Sequence, residues 1–286
     1  MPPRSLSPVH QQSTIFSANK PIAIFDSGLG GISIARHVAK ALPNEKILYF
    51  ADCKHVPYGD KGETHIIDRV NSVADYLVSF GAKAIVLACN TATVNAIEQL
   101  RTRVDIPIIG VEPAIKPAAQ LSASKSVGMM VTSATSKNPR FLKLVETHKG
   151  DATVHIQACP GLVEVIEKGE HDSAHCRDLL ETYLTPLLAK EIDTLVLGCT
   201  HYPLISAQII QIVGDNVTLL ETSEPVTKEL TRQLTSRNML AGSSNGNTKN
   251  LGGQYQVLST GEYQSIANAL PKFWLENVSI EADIAT

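Results

Sequence analysis

Short apolar runs alternate with amphipathic stretches along most of the chain, and that alternation sets the expected architecture. IAIF (22–25), KILYFAD (46–52), AIVL (84–87) and IPIIGVEPA (106–114) are apolar segments bounded by turn residues, which predicts buried strands. Between them ISIARHVAKAL, a segment from about Thr64 to Phe80, and VNAIEQLRT carry apolar residues at helical spacing. Strand and helix in strict alternation predict parallel sheets covered by helices on both faces. The plan continues with strands in KSVGMMVTSATS, VHIQAC, TLVLGC and NVTLLETSEPV, and with helices from about Asn138, in PGLVEVIEKGE and in DLLETYLTPLLAKEI. A helix near Glu224 to Arg237, a YQVLSTGE strand and an SIANALPKFWL helix close the chain. Residues 1–19, rich in Ser, Pro and Gln, are expected to form a mobile tail, and AGSSNGNTKNLGG (241–253) a flexible loop.

One stretch recurs. AIVLACNTAT (84–93) returns as TLVLGCTHYP (194–203), each an apolar run ending on a cysteine followed by small polar residues. The spacing around the two copies agrees: Asp26 to Cys89 spans 63 positions and Thr132 to Cys199 spans 67, while Cys89 to Glu112 spans 23 and Cys199 to Glu224 spans 25. This register indicates an internal duplication. The expected fold is therefore α/β, with two pseudo-symmetric doubly wound parallel-sheet domains. The first takes residues 20–115 plus 226–286 and the second 116–225, with the active site in the cleft between them at the carboxyl ends of the strands. Cys89 and Cys199 would face each other there.

Composition narrows the function classes. The 286 residues are 43% hydrophobic and 19% charged, with a mean hydropathy near zero, as in an ordinary globular protein. A net charge of -3 gives no basic face for nucleic acid, and no apolar run approaches the ~20 residues of a membrane span. Five cysteines without framework spacing suit a reducing, cytoplasmic setting.

Three chemistries could use the cysteines. As metal ligands they would need partners such as His201, His55, His171, His175 or Cys176, but the close ligand pairs of a structural zinc site are missing. A single nucleophile with a histidine explains one cysteine, whereas the duplication concerns both. Two thiols on opposite faces of one carbon could remove a proton from one side and return it from the other, so two-base racemisation ranks first. Each residue also has a plainer reading: buried cysteines pack as small hydrophobes, Asp26 could cap a helix, and His201 could be a core histidine. Cys53, Cys159 and Cys176 are read as structural. The Gly-rich turn after Asp26 suits an anion, a carboxylate as readily as a phosphate.

FDSGLGG, VPYG, ACNTAT, GVEPA and GCTHYP together resemble the motifs of glutamate racemases in the cofactor-independent aspartate/glutamate racemase superfamily, over a region from about Pro21 to the closing helix. The resemblance implies interconversion of L- and D-glutamate, the D-isomer serving peptidoglycan synthesis, with neither cofactor nor metal. Its base pair falls on Cys89 and Cys199, the first acting on D-glutamate and the second on L-glutamate. Asp26 and His201 would assist them, and an assisting glutamate falls at Glu167, with Glu164 as the competing position. Implied substrate contacts are Asp26, Ser27, Pro57, Tyr58, Gly59, Asn90, Thr91, Thr132, Thr135, Thr200 and His201. The family also suggests a homodimer and UDP-N-acetylmuramoyl-L-alanine as an activator. Aspartate racemisation, or binding of an amino-acid derivative without catalysis, are the alternatives.

Overall fold

A computed structural model of the chain describes residues 18–241, 255–261, 264–273, 278–281 and 284. The first half runs β1 (Ile22–Asp26), α1 (Ile32–Ala41), β2 (Ile47–Ala51), α2 (Glu63–Ser79), β3 (Ala84–Leu87), α3 (Asn90–Arg103) and β4 (Ile108–Gly110). The second runs α4 (Ile115–Leu121), β5 (Ser126–Val131), α5 (Ser133–Lys137), α6 (Pro139–His148), β6 (Thr153–Ala158), α7 (Leu162–Glu167), α8 (Ala174–Leu188), β7 (Thr194–Leu197), α9 (Ser206–Val213) and β8 (Thr218–Leu220). α10 (Ser223–Ser236), β9 (Tyr255–Ser259), α11 (Gln264–Phe273) and β10 (Val278–Glu281) follow. The expected tail, through residue 17, and the expected loop, from residue 242, lie outside the described residues. Among those described, no helix is long and apolar enough to cross a membrane.

Two parallel sheets result, in the strand orders β10-β9-β2-β1-β3-β4 and β6-β5-β7-β8. The run β2-β1-β3-β4 of the first has the same order as the whole of the second, so the duplication read from spacing is present as topology. In each copy the chain leaves the founding strand in one direction and returns on its other side. That reversal opens a crevice between β1 and β3, and an equivalent one between β5 and β7. Register brings the paired strand tips level: Phe25 pairs with Leu87, just before Asp26 and Cys89, and Met130 pairs with Leu197, just before Thr132 and Cys199.

The strands read as continuous apolar runs because both faces are covered. One face of the first sheet packs on α1, α10 and α11, the other on α2 and α3. In the second, α7, α8 and α9 cover one face and α4 and α6 the other. At the opposite end from the strand tips, fully buried Lys83 is neutralised by Glu45 at 2.5 Å and donates to the carbonyls of Ala18 and Met239, both at 2.7 Å. A buried cation is tolerable only with such complete pairing.

The pattern of apolar positions did not announce α4, α5, α9 or β10. α4 and α5 are seven and five residues long, too short for a helical period to declare itself. α4 also carries Pro117, which is harmless in a first turn, where its missing N–H would find no helical partner.

Candidate active site

The turn after β1 meets the second half at distances only glycine permits. A Cβ on Gly28 would lie 2.0 Å from Glu167 Oε1, and one on Gly30 would lie 2.5 Å from both His201 Nδ1 and Thr200 Oγ1. The anion that this turn holds is the protein's own: the Leu29 N–H donates to Glu167 Oε1 at 2.8 Å. Asp26, fully buried, accepts from the Gly28 N–H at 2.9 Å and from the Thr200 hydroxyl at 3.0 Å, which ties the β1 tip to the turn after β7. Burial raises its pKa, with the His201 charge and these two hydrogen bonds opposing.

Cys89 stands at the N-cap of α3, where its sulfur accepts from the Ala92 N–H at 3.5 Å and from the Ser27 hydroxyl at 3.7 Å. Burial, reinforced by the neighbouring Asp26 carboxylate, pushes the thiol up to about 12 despite these donors. Cys199 is as buried, but its turn leads first into a short 3-10 helix, Tyr202–Ile205, and only then into α9. Its company is ionic instead: His201 Nδ1 lies 3.7 Å from the sulfur, and His201 Nε2 lies 2.5 Å from Glu167 Oε1. Burial disfavours an imidazolium, yet the bonds to Cys199 and Glu167 prevail and hold the ring's pKa well above the usual histidine range. Glu167 borders a second cavity, beside Leu29 and Leu204, that does not include either cysteine.

Both thiols open on one small cavity. The first half contributes Ser27, Pro57, Tyr58, Gly59, Cys89, Asn90 and Thr91 to its lining, and the second half Thr132, Val163, Cys199, Thr200 and His201. Both polar atoms of the buried Asn90 side chain lack a protein partner. A buried amide left wholly unpaired is costly, so this one is available to a ligand. Thr91 and Thr132 meet across the cleft at 3.0 Å, and Thr132 in turn donates to Thr135 at 3.0 Å.

The cavity thus gathers most of the residues singled out from sequence, but not all in the same role. Asp26, Glu167 and Thr135 stand behind its wall rather than on it. Glu167, not Glu164, touches His201. Tyr58 turns its hydroxyl away from the cavity onto Asp52 Oδ2 at 2.7 Å. Sequence reasoning passed over Val163, an apolar lining residue one helical turn before Glu167, and Asp52, the residue just past β2, whose last residue Ala51 pairs with Asp26. Among the described residues no group of three or more His, Cys, Asp or Glu side chains is placed to hold a metal ion.

Comparison with known proteins bears on this geometry. Residues 32–226 match the family model described as Asp/Glu/Hydantoin racemase. The glutamate racemase of Stutzerimonas stutzeri (strain A1501) is 40% identical over 262 residues, which cover 91% of this chain and 96% of that protein. Among solved structures, glutamate racemase isoform RacE1 from Bacillus anthracis superposes with a TM-score of 0.81 at 30% identity, covering 93% of this chain and 97% of the other. Escherichia coli glutamate racemase, in complex with L-glutamate and the activator UDP-MurNAc-ala, gives 0.78 at 27% identity, covering 93% and 100%.

Proposed function

The chain belongs to the Asp/Glu/hydantoin racemase family, and from that premise we propose that it interconverts L- and D-glutamate by proton transfer between Cys89, the α-carbon and Cys199. The observation that supports the reading is that both thiols, one from each copy of the duplicated sheet, line the same cavity. Glutamate rather than aspartate is supported by relatives at 40% identity and above that bear the glutamate racemase name.

Starting from L-glutamate, the Cys199 thiolate takes the α-proton while the Cys89 thiol delivers its own to the opposite face. The reverse reaction exchanges their protonation states. Negative charge developing at the α-carbon spreads into the α-carboxylate, where the unpaired Asn90 amide and the Thr91 and Thr200 hydroxyls can donate. His201, braced by Glu167, compensates the Cys199 thiolate. Asp26 acts from behind, holding Thr200 and setting the charge next to Cys89. Side chains supply the whole acid-base chemistry of this scheme. D-Glutamate formed this way would supply peptidoglycan synthesis. A cytoplasmic setting belongs to the same reading, supported by five unbridged cysteines. So does a response to UDP-N-acetylmuramoyl-L-alanine, supported by that activator's presence in the E. coli complex.

The test is the circular dichroism of L-glutamate incubated with pure protein and no added cofactor. The signal should decay to zero, and in deuterated water the first product formed should carry the label while recovered substrate stays largely unlabelled. A folded protein that leaves the signal unchanged would sink the proposal, and equal early labelling of substrate and product would point to one shared base.

A further inference from the structure

Pro57, Tyr58 and Gly59 form a wall of the cavity although they belong to no regular strand or α-helix, and what fixes their height is a carboxylate outside the site. Asp52, fully buried just past β2, accepts four side-chain hydrogen bonds. Arg69 of α2 donates Nε to Oδ2 at 3.0 Å and Nη2 to Oδ1 at 2.8 Å; the Tyr58 hydroxyl donates to Oδ2 and the Thr260 hydroxyl to Oδ1, both at 2.7 Å. Two bonds on each oxygen exhaust the acceptor capacity of a carboxylate. The group has no lone pair left for a substrate, so its task is mechanical. Its main chain is bound as tightly, the Asp52 N–H donating to the Asp26 carbonyl at 3.0 Å and the Asp52 carbonyl accepting from His55 at 2.9 Å.

We infer that Arg69, acting through Asp52, is a positioning residue for substrate binding, holding Tyr58 so that the Tyr58–Gly59 wall keeps its register with the opposing lobe. The inference rests on the racemase reading above. Three features give the arm its leverage. The Arg69 pair is bidentate and charge-assisted, hence the strong limb of the network. The Tyr58 ring, nearly fully buried and edge-on to Phe25 at 6.4 Å between centroids, makes a rigid lever from the phenol oxygen to the cavity wall. Gly59 then abuts Thr132 of the second lobe, where an added Cβ would lie 2.8 Å from the threonine Cβ, and Thr132 is bonded to Thr91 beside Cys89. Thr260, just past β9, adds a brace from the far end of the sequence, also accepting from the Lys54 N–H at 3.2 Å. None of these bonds reaches the thiols, so the effect falls on binding rather than on proton transfer.

The experiment is steady-state racemisation by wild type, Arg69→Met, Arg69→Lys and Tyr58→Phe, each checked for cooperative thermal unfolding. Arg69→Met should raise KM for glutamate about tenfold while kcat changes less than about threefold. Arg69→Lys, which keeps the charge but not the two-pronged geometry, should recover only part of the loss. Tyr58→Phe cuts one neutral bond and leaves the ion pair intact; it should raise KM about three- to fivefold, and it decides the matter if Arg69→Met fails to fold. An unchanged KM in Tyr58→Phe, or a fall in kcat at constant KM in folded Arg69→Met, overturns the inference. A wild-type protein without racemase activity would instead overturn the reading on which it rests.

Discussion

Cys89 and Cys199 end equivalent strands of a duplicated sheet, yet their surroundings differ in kind. Cys89 faces a helix N-terminus, a hydroxyl and a carboxylate; Cys199 faces an imidazolium that a second carboxylate sustains. Burial first, with the Asp26 carboxylate, takes the Cys89 thiol from 9.0 to about 12 even with the Ala92 and Ser27 donors in place. Three pKa units correspond to on the order of 4 kcal/mol. A helix terminus contributes only about 0.3–1 kcal/mol, so it cannot offset that burial. Cys89 is therefore held as a thiol, and the ammonium of glutamate is the charge whose approach would favour its thiolate. Cys199 has its cation beside it in the protein itself, in the His201 ring whose pKa lies well above the usual histidine range. Duplication placed two sulfurs at equivalent strand ends; different neighbours then gave each its own surroundings.

The largest effects come from removing either sulfur. Cys89→Ser and Cys199→Ser should each lower racemisation by roughly 10³-fold, since each turnover needs a base and an acid. Irreversible elimination from a glutamate analogue bearing a leaving group needs one base only. Cys89→Ser should retain it on the L-analogue and Cys199→Ser on the D-analogue. The mirrored pattern would exchange the two assignments, and loss of both eliminations in either variant would break the comparison.

His201→Asn removes the built-in cation and should cost roughly 10²-fold. An equilibrium constant of one forces kcat/KM to fall equally in both directions, so asymmetry must be sought in isotope effects. With Cys199 impaired, proton removal from L-glutamate becomes the slow step. The primary deuterium effect on α-deuterated L-glutamate should grow while that on the D-isomer shrinks. Equal changes in both would mean that His201 serves the site as a whole rather than Cys199.

Much of this asymmetry was legible in the sequence and some was not. The apolar runs yielded the parallel strands, and the repeated cysteine tips yielded both thiols, because strand periodicity and strand-end position are local properties. His201 sits two residues from its sulfur and was equally local. Glu167 could not be separated from Glu164 by spacing, since both lie on α7; what separates them is Gly28, whose missing side chain admits the Glu167 carboxylate to the β1 turn. The Asp52 network escaped notice for the same reason: Arg69 and Thr260 stand 17 and 208 positions from Asp52 and meet only in the folded chain. The Gly-rich turn was read as a seat for an anion, and the anion proved to be a side chain from the other half.

The smallest effect, and the sharpest on what keeps His201 charged beside Cys199, belongs to Glu167→Gln. The amide keeps the shape and can still meet the ring, but it withdraws the negative charge that helps hold His201 protonated. Because the native ring's pKa lies well above the usual histidine value, its cation persists through neutral pH and is lost only as pH rises through that elevated value. Without the carboxylate, burial works unopposed from that side and the loss should begin at lower pH. Near pH 6 the variant should racemise within about threefold of wild type, and its rate should then fall away at a pH where wild type still holds its plateau. The check is a pair of pH–rate profiles with L-glutamate. An alkaline limb that stays in place would mean that Cys199 alone retains the proton on His201, leaving Glu167 as a spacer between the lobes through Leu29.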